Sequence, residues 1–393
     1  MAERTADGRP GSPGALRRAN RERILAELRR RDSPTQADIA RETGLAPATV
    51  SNIVRELERD GVVVVAESGR RRRVRLHRAR VPLAAAAVDY GHRHVTVAVA
   101  TDDGRVVTER RTDLVPGLPA AEGLEIAAAL LGEVLSEADT EVLDVVGMGL
   151  PAPIDSRTGS VGSLTILPAW VGLPAAALAA EAFRRPVVVD NDANLGALAE
   201  FRWGCGADVD NLAYLKLSEG VGAGLVLDGR IFRGPAGTAG EIGHTTVDEF
   251  GAMCRCGNRG CLETLIAARK VVELLRPVAG RELSVGEIVR RAREGDRGCA
   301  RAVADVGLQV GAAVADLCNL LNPEMIIVGG ELAQAEELLL APIRQVISRR
   351  GISSAVDQAV LTTATLGAYA HVLGGAALAF DAATDLHVMH SMH

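Results

Sequence analysis

Between Glu241 and Glu263 the chain places one histidine and three cysteines, His244, Cys254, Cys256 and Cys261. They lie in the runs Glu241-Ile242-Gly243-His244 and Cys254-Arg255-Cys256-Gly257-Asn258-Arg259-Gly260-Cys261-Leu262-Glu263. Three thiols and one imidazole complete a tetrahedral zinc shell, the composition of a structural site rather than a catalytic one. The intervening glycines let the backbone fold back on itself. Three of the six cysteines fall within the eight positions 254–261, which argues against a chance cluster of buried thiols. A disulfide is the competing reading, but nothing else in the chain suggests export. Glu241 and Glu263 flank the ligands, so a metal that holds the loop also holds two carboxylates.

This pattern, Glu-x-Gly-His followed by Cys-x-Cys-Gly-x-x-Gly-Cys-x-Glu, resembles the signature of the ROK family of bacterial sugar kinases and sugar-responsive repressors. The resemblance implies one structural Zn2+ per chain on His244, Cys254, Cys256 and Cys261. It also implies sugar contacts from Glu241, His244 and Glu263. One imidazole can do both, with one ring nitrogen on the metal and the other facing the sugar.

The elements that must position these groups follow from the rest of the chain. Its 393 residues allow two or three domains, and an apolar content of 48% is ample for a core. No stretch reads as a transmembrane span. Residues 1–14 are rich in Gly, Pro, Arg and Asp without an apolar core, as in a flexible tail rather than a signal peptide. A cytoplasmic location and no membrane partner are therefore expected. Arginine outnumbers lysine 42 to 2, which reads as a mark of genome composition with little functional content. Charge is uneven: residues 1–80 carry +8 and the remainder −14. A basic N-terminal module on an acidic body is the footprint of nucleic-acid binding.

Within residues 15–78 the pattern predicts helices over Leu16 to Arg30, over Thr35 to Thr43, and from Pro47 to Asp60-Gly61. Gly44 stops the second, and Val50, Ile53, Val54 and Leu57 form the inward stripe of the third. Helix, short glycine turn, helix is a helix-turn-helix, whose second helix enters the major groove. A hairpin with its turn at Ser68-Gly69 makes a wing, with Arg70, Arg71, Arg72 and Arg73 at or just past the tip. The expected DNA contacts are these four arginines with Thr49, Ser51, Asn52 and Arg55. Ala46 stands where such modules often carry a Ser or Thr cap.

Residues 83–385 alternate short apolar runs with helical patterns, as in two α/β lobes around a cleft. The run from Leu83 through Asp89-Tyr90-Gly91 resembles the opening hairpin of sugar kinases and other actin-like, ribonuclease H-like ATPases. The expected architecture is thus a winged helix-turn-helix followed by a two-lobed actin-like body with a structural zinc site. In the family's kinases the Asp of an Asn-Asp pair takes the proton from the sugar hydroxyl. That role falls by match on Asp192, beside Asn191.

The phosphate loops depart from the kinase pattern. The first reads Asp89-Tyr90-Gly91-His92-Arg93 where kinases have Asp-x-Gly-Gly-Thr, so bulky side chains obstruct approach to the backbone. The second reads Ser218-Glu219-Gly220-Val221-Gly222, with the Glu219 carboxylate where a phosphate belongs. Ile166 stands where the kinases tend to have a sugar-contacting Asn. These departures favour a non-enzymatic transcriptional regulator, a repressor, over the alternative of an ATP-dependent sugar kinase with a DNA-binding appendage. Its expected partners are an inverted-repeat DNA operator, a sugar or sugar-phosphate effector, and further copies of itself in a homodimer or homotetramer.

Overall fold

Val50, Ile53, Val54 and Leu57 recur at intervals of three and four residues and form the buried stripe of the helix Pro47–Arg59. The computed structural model describes residues 17, 20, 21, 23–25, 27, 28, 34–59, 62–68, 71–76, 84–155, 157–162 and 165–390. The tail expected over 1–14, and Arg70, lie outside the described residues. By internal contacts the chain divides into two units, Met1–Val81 and Pro82–His393.

In the first unit the described residues between 17 and 28 are helical and bury Ile24, Leu25 and Leu28. The helix Gln36–Thr43 starts at a capping box. The Asp38 amide donates to Thr35 Oγ1 at 3.2 Å, and the Thr35 amide donates to Asp38 Oδ2 at 3.0 Å. It ends at Gly44, whose φ of +67° is left-handed. Two strands follow, β1 (Val63–Ser68) and β2 (Arg71–Leu76), paired antiparallel with Ser68 opposite Arg71. This corrects the expected turn by one residue. Pairing runs through Ser68, and Arg71, Arg72 and Arg73 open β2 opposite Ser68, Glu67 and Ala66, just past the tip as expected.

The second unit contains one five-stranded topology twice. The first sheet has the order β5-β4-β3-β6-β7, from β3 (Ala84–Tyr90), β4 (His94–Thr101), β5 (Val106–Asp113), β6 (Val142–Leu150) and β7 (Val187–Asn191). The second has the order β10-β9-β8-β11-β12, from β8 (Leu212–Leu217), β9 (Val221–Leu227), β10 (Arg230–Ile231), β11 (Met325–Gly329) and β12 (Val360–Thr363). In each, three antiparallel strands lead into two parallel ones. Central β3 is apolar almost throughout and entirely buried, as a strand covered on both faces must be. Edge strand β5 alternates half-buried and exposed residues along much of its length.

Helices Asp192–Trp203 and Ala370–His390 pack against each other, the first on β8 and β9 and the second across β3 and β6. Their approach depends on missing side chains: a Cβ at Gly147 of β6 would overlap the Gly375 carbonyl, and one at Gly374 the Leu195 carbonyl. The helix Arg297–Leu321 is long and apolar enough to cross a membrane, a length and composition the sequence reading passed over. It is instead a core helix. Val303, Val306, Val310, Val314 and Cys318 are buried, and Gly307 and Gly311 let the helix Glu337–Arg350 approach closely.

Candidate functional site

A short 3-10 turn, Ile242–His244, and the glycine-rich loop after it bring the four metal donors together. His244 Nδ1 stands 3.5 Å from Cys254 Sγ, and Cys256 Sγ stands 3.5 Å from Cys261 Sγ. All four donor atoms lie within 4.8 Å of one another. Ligand atoms around a tetrahedral zinc, at bonds of about 2.0–2.3 Å, stand roughly 3.5–3.8 Å apart. The residues present therefore fit a metal ion. All six cysteines are free, which removes the disulfide reading. The loop returns on itself through Gly260 (φ +57°), where a Cβ would overlap the Asp248 carbonyl. Nδ1 of His244 faces the thiols, whereas its buried Nε2 has no hydrogen-bond partner and lies 3.8 Å from Glu241 Oε2.

Glu241 and Glu263 stand near that imidazole, and Asp192 lies near Glu241. Glu263 is 2% exposed and its Oε2 accepts from Arg255 Nη2 at 2.7 Å and from the Val221 amide at 3.2 Å. Burial first, and then the charges of Asp192 and Glu263, push the Glu241 carboxyl up to about 7, partly offset by Arg255. Asp192 opens the helix Asp192–Trp203 and its Oδ2 is ion-paired with Lys216 Nζ of β8. Asn191 is committed elsewhere: its Oδ1 caps that helix, accepting from the amides of Ala193 (2.8 Å) and Asn194 (3.4 Å). Behind it, buried Asp190 accepts from Arg233 Nη2 at 2.6 Å and from Asn194 Nδ2 at 2.9 Å. The result is a wall of acceptors and donors suited to hydroxyl groups.

The sequence reading missed the cations Lys216, Arg255 and Arg233. One signal was present. The chain has only two lysines, so Lys216 stood out by type, although nothing local pointed to Asp192 as its partner.

At the turn that matches the kinases' first phosphate loop, the side chain lying against the glycine is neither His92 nor Arg93. Arg93 is exposed, and His92 lines a small hollow with Tyr90, Leu167 and Trp170. The ring lying on Gly91 belongs to His94, and a Cβ at Gly91 would overlap it. A side chain at β4's first residue can fold back over the turn, whereas those within the turn splay outward. His94 Nε2 is 3.2 Å from Asp89 Oδ2, and His371 Nδ1 is 3.8 Å from the same oxygen. Burial opposes ionisation of Asp89, but His371 and His94 outweigh it and hold the carboxyl well below its usual range. In the second loop, residues 218–220 form a tight turn, with the Ser218 amide donating to the Gly220 carbonyl at 3.1 Å. Glu219 is half-buried there, and Gly222 belongs to β9.

On the helix Pro47–Arg59, Asn52 and Arg55 are exposed, and Thr49 and Ser51 are partly so. Arg55 Nη2 donates to Asn52 Oδ1 at 2.7 Å, and its Nε to the Ser51 carbonyl at 3.3 Å. These pairs fix the two side chains relative to each other.

Comparison with known proteins adds the lineage. Residues 17–64 match a winged helix-turn-helix DNA-binding domain, and residues 85–382 match the ROK family. The chain is 30% identical to a xylose repressor of Caldicellulosiruptor bescii, over 93% of this chain and 96% of that protein. It superposes with a TM-score of 0.75 and 27% identity on a ROK family transcriptional regulator described as a homologue of the E. coli MLC protein, covering 94% and 97% of the two chains. A ROK family glucokinase from Streptomyces griseus, solved with glucose and AMPPNP, aligns with a TM-score of 0.68 and 28% identity. It covers 76% of this chain and 99% of its own. The duplicated sheets, the His–Cys cluster and the matches over both units agree, and the chain belongs to the ROK family.

Proposed function

We propose that this chain is a sugar-responsive transcriptional repressor, with the helix-turn-helix reading operator DNA and the body sensing a sugar. The observation that carries this reading is the coexistence of a winged helix-turn-helix with a kinase-like body whose catalytic parts are engaged otherwise. The carboxylate at the kinase-base position, Asp192, is tied to Lys216, and the His94 ring covers Gly91 in the phosphate loop. A base must be free to accept the hydroxyl proton, and a phosphate needs bare backbone. The body then binds but does not phosphorylate. The full-length match to a repressor, against a kinase match limited to the body, supports the same conclusion.

In this reading Glu241, His244, Glu263 and Asp192 contact sugar hydroxyls, with Asn191 contributing its amide nitrogen. Zinc occupies His244, Cys254, Cys256 and Cys261 and holds His244 so that Nε2 faces the sugar. Thr49, Ser51, Asn52 and Arg55 face base edges, while the wing arginines, Arg70 included, contact phosphates. The target is an inverted repeat bound by a homodimer or homotetramer in the cytoplasm. The sugar acts by binding one lobe arrangement better than another.

Operator DNA selected from a random library tests this by gel shift at fixed salt, with and without a sugar panel. Asn52→Ala should weaken the selected site about tenfold more than random DNA. Arg71→Ala with Arg72→Ala should weaken both alike. A coupled ADP-release assay should stay at background with every sugar. Sugar-dependent turnover abolished by Asp192→Asn would establish the kinase alternative instead.

A further inference from the structure

Lys216 is one of only two lysines in a chain with 42 arginines; the other, Lys270, pairs on the surface with Glu273. Its side chain is 15% exposed and its ammonium is ion-paired with Asp192, which is 6% exposed. On both neighbouring strands its cross-strand partner is a glycine, Gly222 of β9 and Gly329 of β11. No side chain flanks it directly within its row of the sheet; the Tyr214 ring lies over Gly329 and the Ala193 methyl over Gly222, so the neighbours of the ammonium are small or come from outside that row. A chain so biased toward arginine uses here the compact point charge with three donors, where a planar guanidinium fork would reach past a single oxygen.

We propose that the Lys216–Asp192 pair is a hydroxyl reader that determines the ligand class, a neutral sugar with one free hydroxyl seated between ammonium and carboxylate. This rests on the reading of the cleft as a sugar pocket. A hydroxyl is the one common sugar substituent that satisfies both partners, accepting from Lys216 while donating to Asp192. A phosphate ester or a uronate accepts from the lysine but gives Asp192 nothing except a second negative charge. The charge count points the same way. Among the described residues, the cations paired with Asp192 and Glu263 are Lys216 and Arg255, so each already holds a carboxylate. A further anion meets two cations that are each already paired with a carboxylate. The same pair explains how a kinase-like pocket recognises a hydroxyl without activating it, because the acceptor is held as a salt and not as a base.

The test is isothermal titration of the full-length, zinc-loaded chain. The panel comprises D-xylose, D-glucose, D-galactose, D-mannose and N-acetyl-D-glucosamine, the 6-phosphates of the hexoses, and D-glucuronate and D-galacturonate. A neutral sugar should bind best, with its charged counterparts at least about thirtyfold weaker. Single-deoxy forms of the best ligand then identify the hydroxyl: for one of them affinity should fall about tenfold or more in wild type. In Lys216→Met that penalty should shrink to about twofold, while zinc content and thermal midpoint stay near wild type. Lys216→Arg should also fail to restore it. A loss that were merely structural would weaken sugar and deoxy sugar equally and leave their ratio unchanged, which would overturn the proposal. Tightest binding by a phosphate ester or a uronate would overturn it too, while leaving the sugar pocket standing. Binding by no member of the panel would overturn the pocket reading and this inference together.

Discussion

The metal loop and the first phosphate loop lie in one body and have been built in opposite senses. In the loop from Glu241 to Glu263, side chains converge on a point: four donor atoms lie within 4.8 Å of one another, beside a buried imidazole nitrogen without a partner. In the loop from Asp89 to His94, side chains converge on one another and fill the site, with two imidazoles around one buried carboxylate. At the metal loop the unpartnered group is His244 Nε2; at the other loop the carboxylate has two imidazoles beside it, while His92 Nδ1 and His371 Nε2 are the atoms without a partner. In the proposed reading, this difference separates recognition from transfer.

The comparison breaks most readily at the metal. Cys256→Ser should reduce zinc from about one per chain to near none and lower the thermal midpoint by about 10 °C, since structural zinc binding is folding free energy. Metal analysis with calorimetry reads both, and a natively purified wild-type chain without zinc would remove one side of the contrast. Glu263→Gln comes next. It leaves the Arg255 guanidinium facing a neutral amide, at a cost of about 2–3 kcal/mol, toward the low end because Arg255 is 29% exposed. Denaturant titration measures the cost, and the sugar response should vanish with it. Gly260→Ala should cost about 2 kcal/mol through positive φ and overlap with the Asp248 carbonyl, lowering zinc affinity without touching a ligand. The smallest effect sharpens the comparison instead. His94→Ala uncovers Gly91 but leaves Lys216 on Asp192, so ATP turnover should remain at background. Turnover in that variant would mean that a single ring had closed the phosphate side.

What could be read from the sequence follows the distance between partners along the chain. The metal set was legible because its four ligands lie within eighteen residues and their types define the chemistry. The helix-turn-helix was legible because Gly44 and the Val50–Leu57 stripe are local signals. The duplicated sheet order was only partly legible: strand-like runs were visible, but nothing local says that β8 lies between β9 and β11. That pairing sets Lys216 between two glycines and points it at Asp192, 24 residues earlier. His371 reaches Asp89 from the start of the last helix, a contact no motif announces. Sequence found an obstructed phosphate loop and assigned the obstruction to His92 and Arg93. Which imidazole folds over a glycine depends on where the turn ends and β4 begins.

The glycine contacts of the last helix have a mechanical consequence. Where Gly375 meets Gly147 and Gly374 meets Leu195, backbone rests on backbone with no side chain between to give way. Such a contact cannot be relaxed by a change of rotamer. It lies where the helix Ala370–His390 crosses both β6 and the helix Asp192–Trp203, whose far ends carry the two sheets. A Cβ at either Gly147 or Gly374 would therefore have to push the last helix off the first sheet or off the helix that packs on β8 and β9.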